Sequence, residues 1–337
     1  MKMRQGLLVL VTACGTDGSQ IDPPIDFPDE ASAIERCLAD GGSLRQLWAT
    51  SNQHGPVTSI AVSGSTIVLG SADGSVKQWN VGGGSASYGT PFVDDTGIGV
   101  DAVAFSSDGQ VLGVDRLGQL TEWRLSDARP LRTISIADVP LDVVAVSEHA
   151  EQAAVAYRDQ VQVIDRVTGE VGAPLPTFLW GVRAAIYGHG GVLFTAGHSY
   201  GTAMVERRAL AAPRDVIEST SLSLTATVQA IAVDPYVTRM AAAGGDFVAI
   251  LEPKALASED AIVREVVGHR AIDVALLGLR VFATVGQEGT LRLWSATTAE
   301  PIAMLEIPEP IGLGVDERGE TVFTAGSDGM LRAFGCR

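Results

Sequence analysis

Basic residues, cysteines and long apolar runs are all scarce in this chain, and each scarcity removes a class of function. Lys and Arg number 24 against 40 Asp and Glu, giving a formal net charge of −16. So acidic a surface repels phosphate backbones and anionic headgroups, which argues against nucleic-acid binding and non-specific adhesion to membranes. Beyond the first fourteen residues, no segment is apolar for long enough to span a bilayer. Only three cysteines occur, Cys14, Cys37 and Cys336, so one internal disulfide is the most the chain can form.

Catalytic signatures are missing as well. No Gly-rich loop joins a strand to a helix to cradle phosphate, and the glycines from Gly82 read as a hairpin turn. No Gly-x-Ser-x-Gly elbow occurs with a supporting His and acid. His189 and His198 could be imagined around a metal with Asp215 or Glu218, but nothing fixes their geometry, and exposed loop histidines are the simpler reading. The pair Arg207-Arg208 reads as a solvated strand edge. The expectation is no catalytic residue, no metal and no cofactor.

What is present is a repeat. GSADGSVKQW ends at Trp79, DRLGQLTEW at Trp123, GQEGTLRLW at Trp294 and GSDGMLRAF at Phe334. In each, a turn glycine (Gly74, Gly118, Gly289, Gly329) precedes the aromatic by five residues, with alternating polarity between them. That is the period of a β-strand. Weaker copies put Asp159, Gly201 and Asp246 at the pivot, Asp being one of the few other residues that tolerate a left-handed turn. The seven pivots are spaced 40 to 45 residues apart. Roughly 18 residues before each lies an apolar run, beginning at Val57, Val100, Leu141, Gly181, Val228, Ala271 and Pro310. These runs suit the most buried strand of a repeated sheet. A period in the low forties with four short strands per unit predicts an all-β fold, a seven-bladed β-propeller.

Over roughly residues 43–336 the chain resembles the WD-repeat family, although the Trp-Asp dipeptide has become Trp79-Asn80, Trp123-Arg124 and Trp294-Ser295. Blade three alone keeps the acid, as Ile164-Asp165, and VIDRVTGEVGAPL resembles the third-to-fourth strand turn of bacterial members. The resemblance implies a hydrogen-bonded network of His, Ser/Thr, turn acid and Trp. Blade one offers His54, Ser71, Asp73 and Trp79; blade six offers His269, Thr284, Glu288 and Trp294. These histidines are then structural. The turns between second and third strands should share one rim, presenting Asp73, Arg116, Arg158, His198, Tyr200, Asp246, Gln287 and Asp328. Mixed charge with Arg and Tyr suits protein contact, and ordinary solvated turns are the plain alternative.

The seventh copy reaches Arg337 straight after its third strand, and LRQLWAT from Leu44 resembles the fourth strand of blade two. Donating this N-terminal strand to the last blade would remove an open sheet edge. Asp29 as a cap, the spacing Ala31, Ile34, Leu38 and the stop at Gly41-Gly42 predict a short helix from about 29 to 40. That arrangement brings Cys37 near Cys336 and predicts a disulfide, two unrelated thiols being the alternative.

Lys2 and Arg4 before the apolar run Leu7–Val11 have the layout of an export signal. Val-Thr-Ala-Cys resembles the cleavage box of bacterial lipoproteins, which implies lipidation of Cys14. Gly15 after that cysteine favours the outer membrane by a sorting rule known for some bacteria. The expected organisation is a signal at 1–13, an acidic Pro/Gly tether at 14–30, a short helix at 31–42 and a propeller at 43–337. The tether should be unfolded. The expected function is a non-catalytic, membrane-tethered monomer in the cell envelope that binds other proteins. The alternative is a propeller enzyme, or a quinone or sugar binder, using the central channel.

Overall fold

The computed structural model describes residues 31–51, 55–82, 84–93, 97–147, 149–188, 191–209, 218–222, 226–234, 237–256, 258, 261–278, 280–316 and 318–337. The expected signal, Cys14, the tether and His54 lie outside them.

The strands form seven antiparallel sheets, the blades of a β-propeller. Blade one runs Val57–Ser63, Thr66–Ser71, Val76–Gly82, Ser85–Tyr88; blade two runs Val100–Ser106, Gln110–Asp115, Gln119–Arg124, Pro130–Ser135. Blade three has Val143–Val146, Gln152–Tyr157 and Gln160–Asp165, and its fourth strand is reduced to the bridges Ile164–Val171 and Val161–Leu175. Blade four is Gly181–Gly188, Val192–Ser199, Thr202–Ala209, Glu218–Ser221, and blade five is Ala230–Val233, Met240–Gly244, Phe247–Leu251, Ile262–Val267. Blade six is Ala271–Leu276, Val281–Gly286, Thr290–Ser295, Pro301–Glu306. Blade seven takes Pro310–Val315, Thr321–Gly326 and Met330–Cys336, and its outermost strand is Leu44–Ser51 from the other end of the chain.

The apolar runs became the innermost strands because they are buried on both faces. Residues 57–62 and 100–106 are buried throughout. Each innermost strand touches the next, and Pro310–Val315 touches Val57–Ser63, which closes the circle. Apolar clusters occupy every blade junction, so the core is a ring rather than a ball. Burial at about 25 cal/mol per Å² drives this packing.

The closure is both hydrogen-bonded and covalent. Leu44 pairs with Cys336 and Ser51 with Met330 in antiparallel register. Cys37 and Cys336 form a disulfide with a Cα–Cα distance of 5.9 Å. Gly42 lies against it: a Cβ there would sit 2.5 and 2.7 Å from the two sulfurs. The helix spans Ala33–Ala39, starting later than the spacing predicts. Ser32 rather than Asp29 caps it, accepting a bond from Glu35 N at 3.2 Å. Ile34, 1% exposed, anchors it in the blade six–seven core.

The turns joining second and third strands fall into two types. In blades one, two, six and seven the pivot glycine has φ of 72° to 90° and its N–H bonds back three residues. That is a turn with glycine at the fourth position. Blades three, four and five instead use two-residue hairpins, Tyr157 pairing with Gln160, Ser199 with Thr202 and Gly244 with Phe247. The expectation that Asp159 and Asp246 would be left-handed is corrected. Arg158 (φ 55°) and Gly245 (φ 56°) carry the positive φ, because a two-residue loop of this kind needs it at its first position.

Candidate functional site

Consecutive strands run in opposite directions. The second-to-third turns therefore emerge on one face together with the segments that enter each next blade. The helix lies on the other face, where Ile34 N donates to Gly319 O in the first hairpin of blade seven.

Blade six contains the full network. Trp294 Nε1 donates to Thr284 Oγ1 at 2.8 Å, and Thr284 Oγ1 lies 2.7 Å from His269 Nε2. His269 Nδ1 faces Glu288, which also accepts from Thr290 Oγ1 at 2.8 Å. Burial lowers the His269 pKa and outweighs the pull of Glu288, so the neutral ring donates through Nδ1 and accepts at Nε2. Burial opposes ionisation of Glu288, but bonds from its backbone, Thr290 and His269 hold its carboxyl below the ordinary value. Every polar atom in this chain of bonds has a partner, which is what makes such a network stabilising.

Blade one is built differently around the same positions. Asp73 accepts from Gly55 N at 2.8 Å, Ser75 N at 2.9 Å and Ser75 Oγ at 2.7 Å. These bonds outweigh burial and lower its pKa. Ser71 is buried, and Trp79 packs edge-on to Tyr88 at 5.3 Å.

Several expected rim residues serve the turns themselves. Arg116 bonds Asp101 through Nε at 3.0 Å. Burial raises the Asp101 pKa against that attraction, with Asp142 and Asp115 adding to the rise. Asp246 pairs loosely with Arg270 at 3.4 Å, both well exposed. Asp328 is tied to Arg332 and accepts from Met330 N at 3.0 Å. Gln287 is held through its backbone N–H to Arg270 O at 2.9 Å. Arg158 is exposed, and His198 is half-buried under Gly181.

Bulges recur near the start of five of the seven innermost strands. The first strands of blades one, two, four, six and seven each slip by one residue, at Thr58, Asp101, Arg183, Ile272 and Ile311. Asp142 and Gln229 occupy the same repeat positions in blades three and five. At two of these bulges the side chain is buried and bonded, Thr58 Oγ1 donating to Val100 O and Asp101 accepting from Arg116.

Sequence reasoning placed Tyr200 on this rim but missed the exposed aromatics Trp180 and Phe178. Trp180 (56% exposed) and Tyr200 (79%) contact each other with ring centroids 4.0 Å apart and planes inclined by 52°. Phe178, two residues earlier, is 60% exposed. The available signal was two aromatics in the non-repeating stretch Thr177–Trp180, where no blade strand needs them. Tyr200 holds φ at 50° and Gly201 at 81°, a backbone region that bulky side chains rarely adopt.

The segment carrying Phe178 and Trp180 is anchored from below. Glu206, fully buried, accepts from Phe178 N at 2.7 Å, Thr177 Oγ1 at 2.8 Å and Arg208 at 2.5 Å. Arg208, 1% exposed, also donates to Pro176 O. This corrects the reading of Arg207-Arg208 as a solvated edge. Only Arg207 reaches outward, to Glu218 at 2.9 Å; Arg208 is a buried ion-pair partner because the inserted Glu206 demands one. Arg166, Glu122 and Arg132 form a second buried cluster between blades two and three.

Among the described residues no three His, Cys, Asp or Glu are placed to hold a metal. A cleft of about 410 Å³ beside the ring closure has Glu320 and Arg337 as its only charged lining residues. No protein-family model matches the chain, and no curated protein matches it either.

Proposed function

We propose that the chain is a non-catalytic interaction scaffold of the WD-repeat type, using the turn-bearing face to bind another protein. The carrying observation is the rigid, solvent-facing pair Trp180 and Tyr200 with Phe178 beside them. Exposed aromatics on an anchored loop are costly unless something covers them, and Trp, Tyr and Arg dominate binding hot spots. The propeller fold is typical of such scaffolds. The blade-six bonds from Trp294 to Glu288 support the WD-repeat reading.

The same proposal puts the protein at a bacterial envelope membrane through a lipid on Cys14. Its support is the order Lys2, Arg4, Leu7–Val11, Val-Thr-Ala-Cys, together with a disulfide suited to an oxidising compartment. Affinity capture with the membrane-extracted full chain and its Trp180→Ala, Tyr200→Ala variant tests the scaffold. A partner retained by the parent and lost with the variant is expected. Equal recovery from both would overturn the assignment to this face. Intact-mass measurement tests the lipid: an unmodified N-terminus would remove the anchor.

A further inference from the structure

At one repeat position six of the seven innermost strands carry a small or apolar residue, and the remaining strand carries a carboxylate. The residue after the bulge is Ser59 in blade one, Ala102 in blade two, Ala184 in blade four and Gly312 in blade seven. Val143 and Ala230 hold the equivalent places in blades three and five. Blade six has Asp273, 1% exposed. Its Oδ1 accepts from Val274 N at 2.8 Å and its Oδ2 from Leu313 N at 2.8 Å. The second bond leaves blade six for the innermost strand of blade seven, so this side chain stitches two blades together. The helix is seated at the same junction, since Ile34 and Leu313 share its apolar cluster.

Among the described residues no cation pairs with this carboxyl. The strands packed against Ala271–Leu276 are Val281–Gly286, Pro310–Val315, Ala230–Val233 and Met240–Gly244, and none contains an ionisable side chain. Along its own segment the nearest are His269, engaged with Thr284 and Glu288, and Arg270, exposed beside Asp246. A buried charge without a partner of opposite sign is costly, and such a group takes up a proton instead. Burial accordingly raises the Asp273 pKa well above the ordinary carboxylate value, and the two N–H bonds offset that only in part.

We propose that Asp273 is a pH-responsive clasp on the junction of blades six and seven. Protonated, it holds the two innermost strands together; ionised, it draws water into the junction and loosens it. The sign follows from linkage. The folded chain binds this proton more readily than the unfolded chain does. The clasp therefore contributes fully below the unfolded value of about 3.9, and its contribution is lost as pH rises through the folded value. His269, in the same blade, responds in the opposite direction.

Denaturant unfolding of the full chain, its disulfide intact, tests this between about pH 4 and pH 9. The comparison is Asp273→Asn, which keeps the shape and one acceptor oxygen but cannot titrate. As pH rises, the ratio of the two folding constants should move in favour of the variant. The shift is up to about tenfold per pH unit between the unfolded and folded values, and at least about tenfold over the whole range. Taking the ratio cancels the titration of His269 and of the other carboxylates. Where Asp273→Asn does not fold, Asp273→Ser, with the residue that blade one holds there, replaces it. The direct signature is a carboxylic-acid C=O band in the infrared spectrum of the folded parent that titrates away with rising pH and is absent from the variant. A ratio that is constant with pH would make Asp273 merely structural and overturn the proposal. A ratio moving the other way, or identical infrared spectra in this region, would overturn it too.

Discussion

Blades six and four hold together by opposite means. Blade six closes a chain of neutral and singly charged groups, Trp294 to Thr284 to His269 to Glu288, over a glycine-pivot turn. Blade four replaces that chain with a buried ion pair, Glu206 and Arg208, and a two-residue turn held at positive φ by Tyr200. The first arrangement keeps its polar groups inside the blade. The second directs them at the neighbouring segment and so fixes what the blade displays. Regular blades build the ring; the irregular one carries the exposed aromatics.

The largest effect should come from neither blade but from the closure that both depend on. Cys37→Ser with Cys336→Ser opens a cross-link spanning 299 residues. The chain-entropy account puts that loss at about 6 kcal/mol, and denaturant unfolding of the parent with and without reductant should show it. Coincident curves would mean that the paired strands alone close the ring.

Breaking the blade-four pair comes next. Glu206→Gln strands the charge of Arg208, and removing one partner of a buried pair costs about 3–5 kcal/mol. Its specific mark should be weaker capture of the partner in a protein that still melts cooperatively, since the amide keeps one acceptor oxygen where the carboxylate offers two to Phe178 N, Thr177 Oγ1 and Arg208. Unchanged stability would show that blade four does not rely on the pair.

In blade six, Thr284→Val leaves the Trp294 N–H and His269 Nε2 without partners, a loss of about 1–3 kcal/mol. The pH dependence has a definite sign. Burial sets the His269 pKa below its unfolded value, so the unfolded chain binds the proton more readily. The contribution is therefore whole above the unfolded value of about 6.5 and is lost as pH falls through the folded value. Stability measured from pH 8 downward should decline more steeply for the parent than for His269→Gln. Parallel profiles would remove the histidine from the network. The smallest effect should be Asp246→Ala, under about 0.5 kcal/mol, because its pair with Arg270 is exposed on both sides. A larger loss would mean that the blade-five turn is more than a solvated hairpin.

The repeating residues were the legible ones. The pivots Gly74, Gly118, Gly289 and Gly329 recur because only a residue without a Cβ relaxes at their φ, so four turns could be read directly. The turns at Arg158 and Tyr200 were misread or underread, since a two-residue hairpin can force non-glycine residues into the same region. The blade-six network was legible because its members keep fixed spacings. Glu206 and Arg208 were not, because a charged residue in a strand looks solvated until its neighbours bury it.

The sequence by itself determined the architecture: seven repeats of one buried strand and one turn, and an N-terminal strand, Leu44–Ser51, that resembles the fourth strand of blade two. Periodicity carries that information locally, since each strand's pattern reflects which of its faces meets water. Tertiary structure alone decided that Trp180 and Tyr200, distant from Glu206 and Arg208 in role though near in sequence, form one rigid display. That outcome depends on packing between blades three and four, where burial converts charge into an anchor and leaves three aromatics facing solvent.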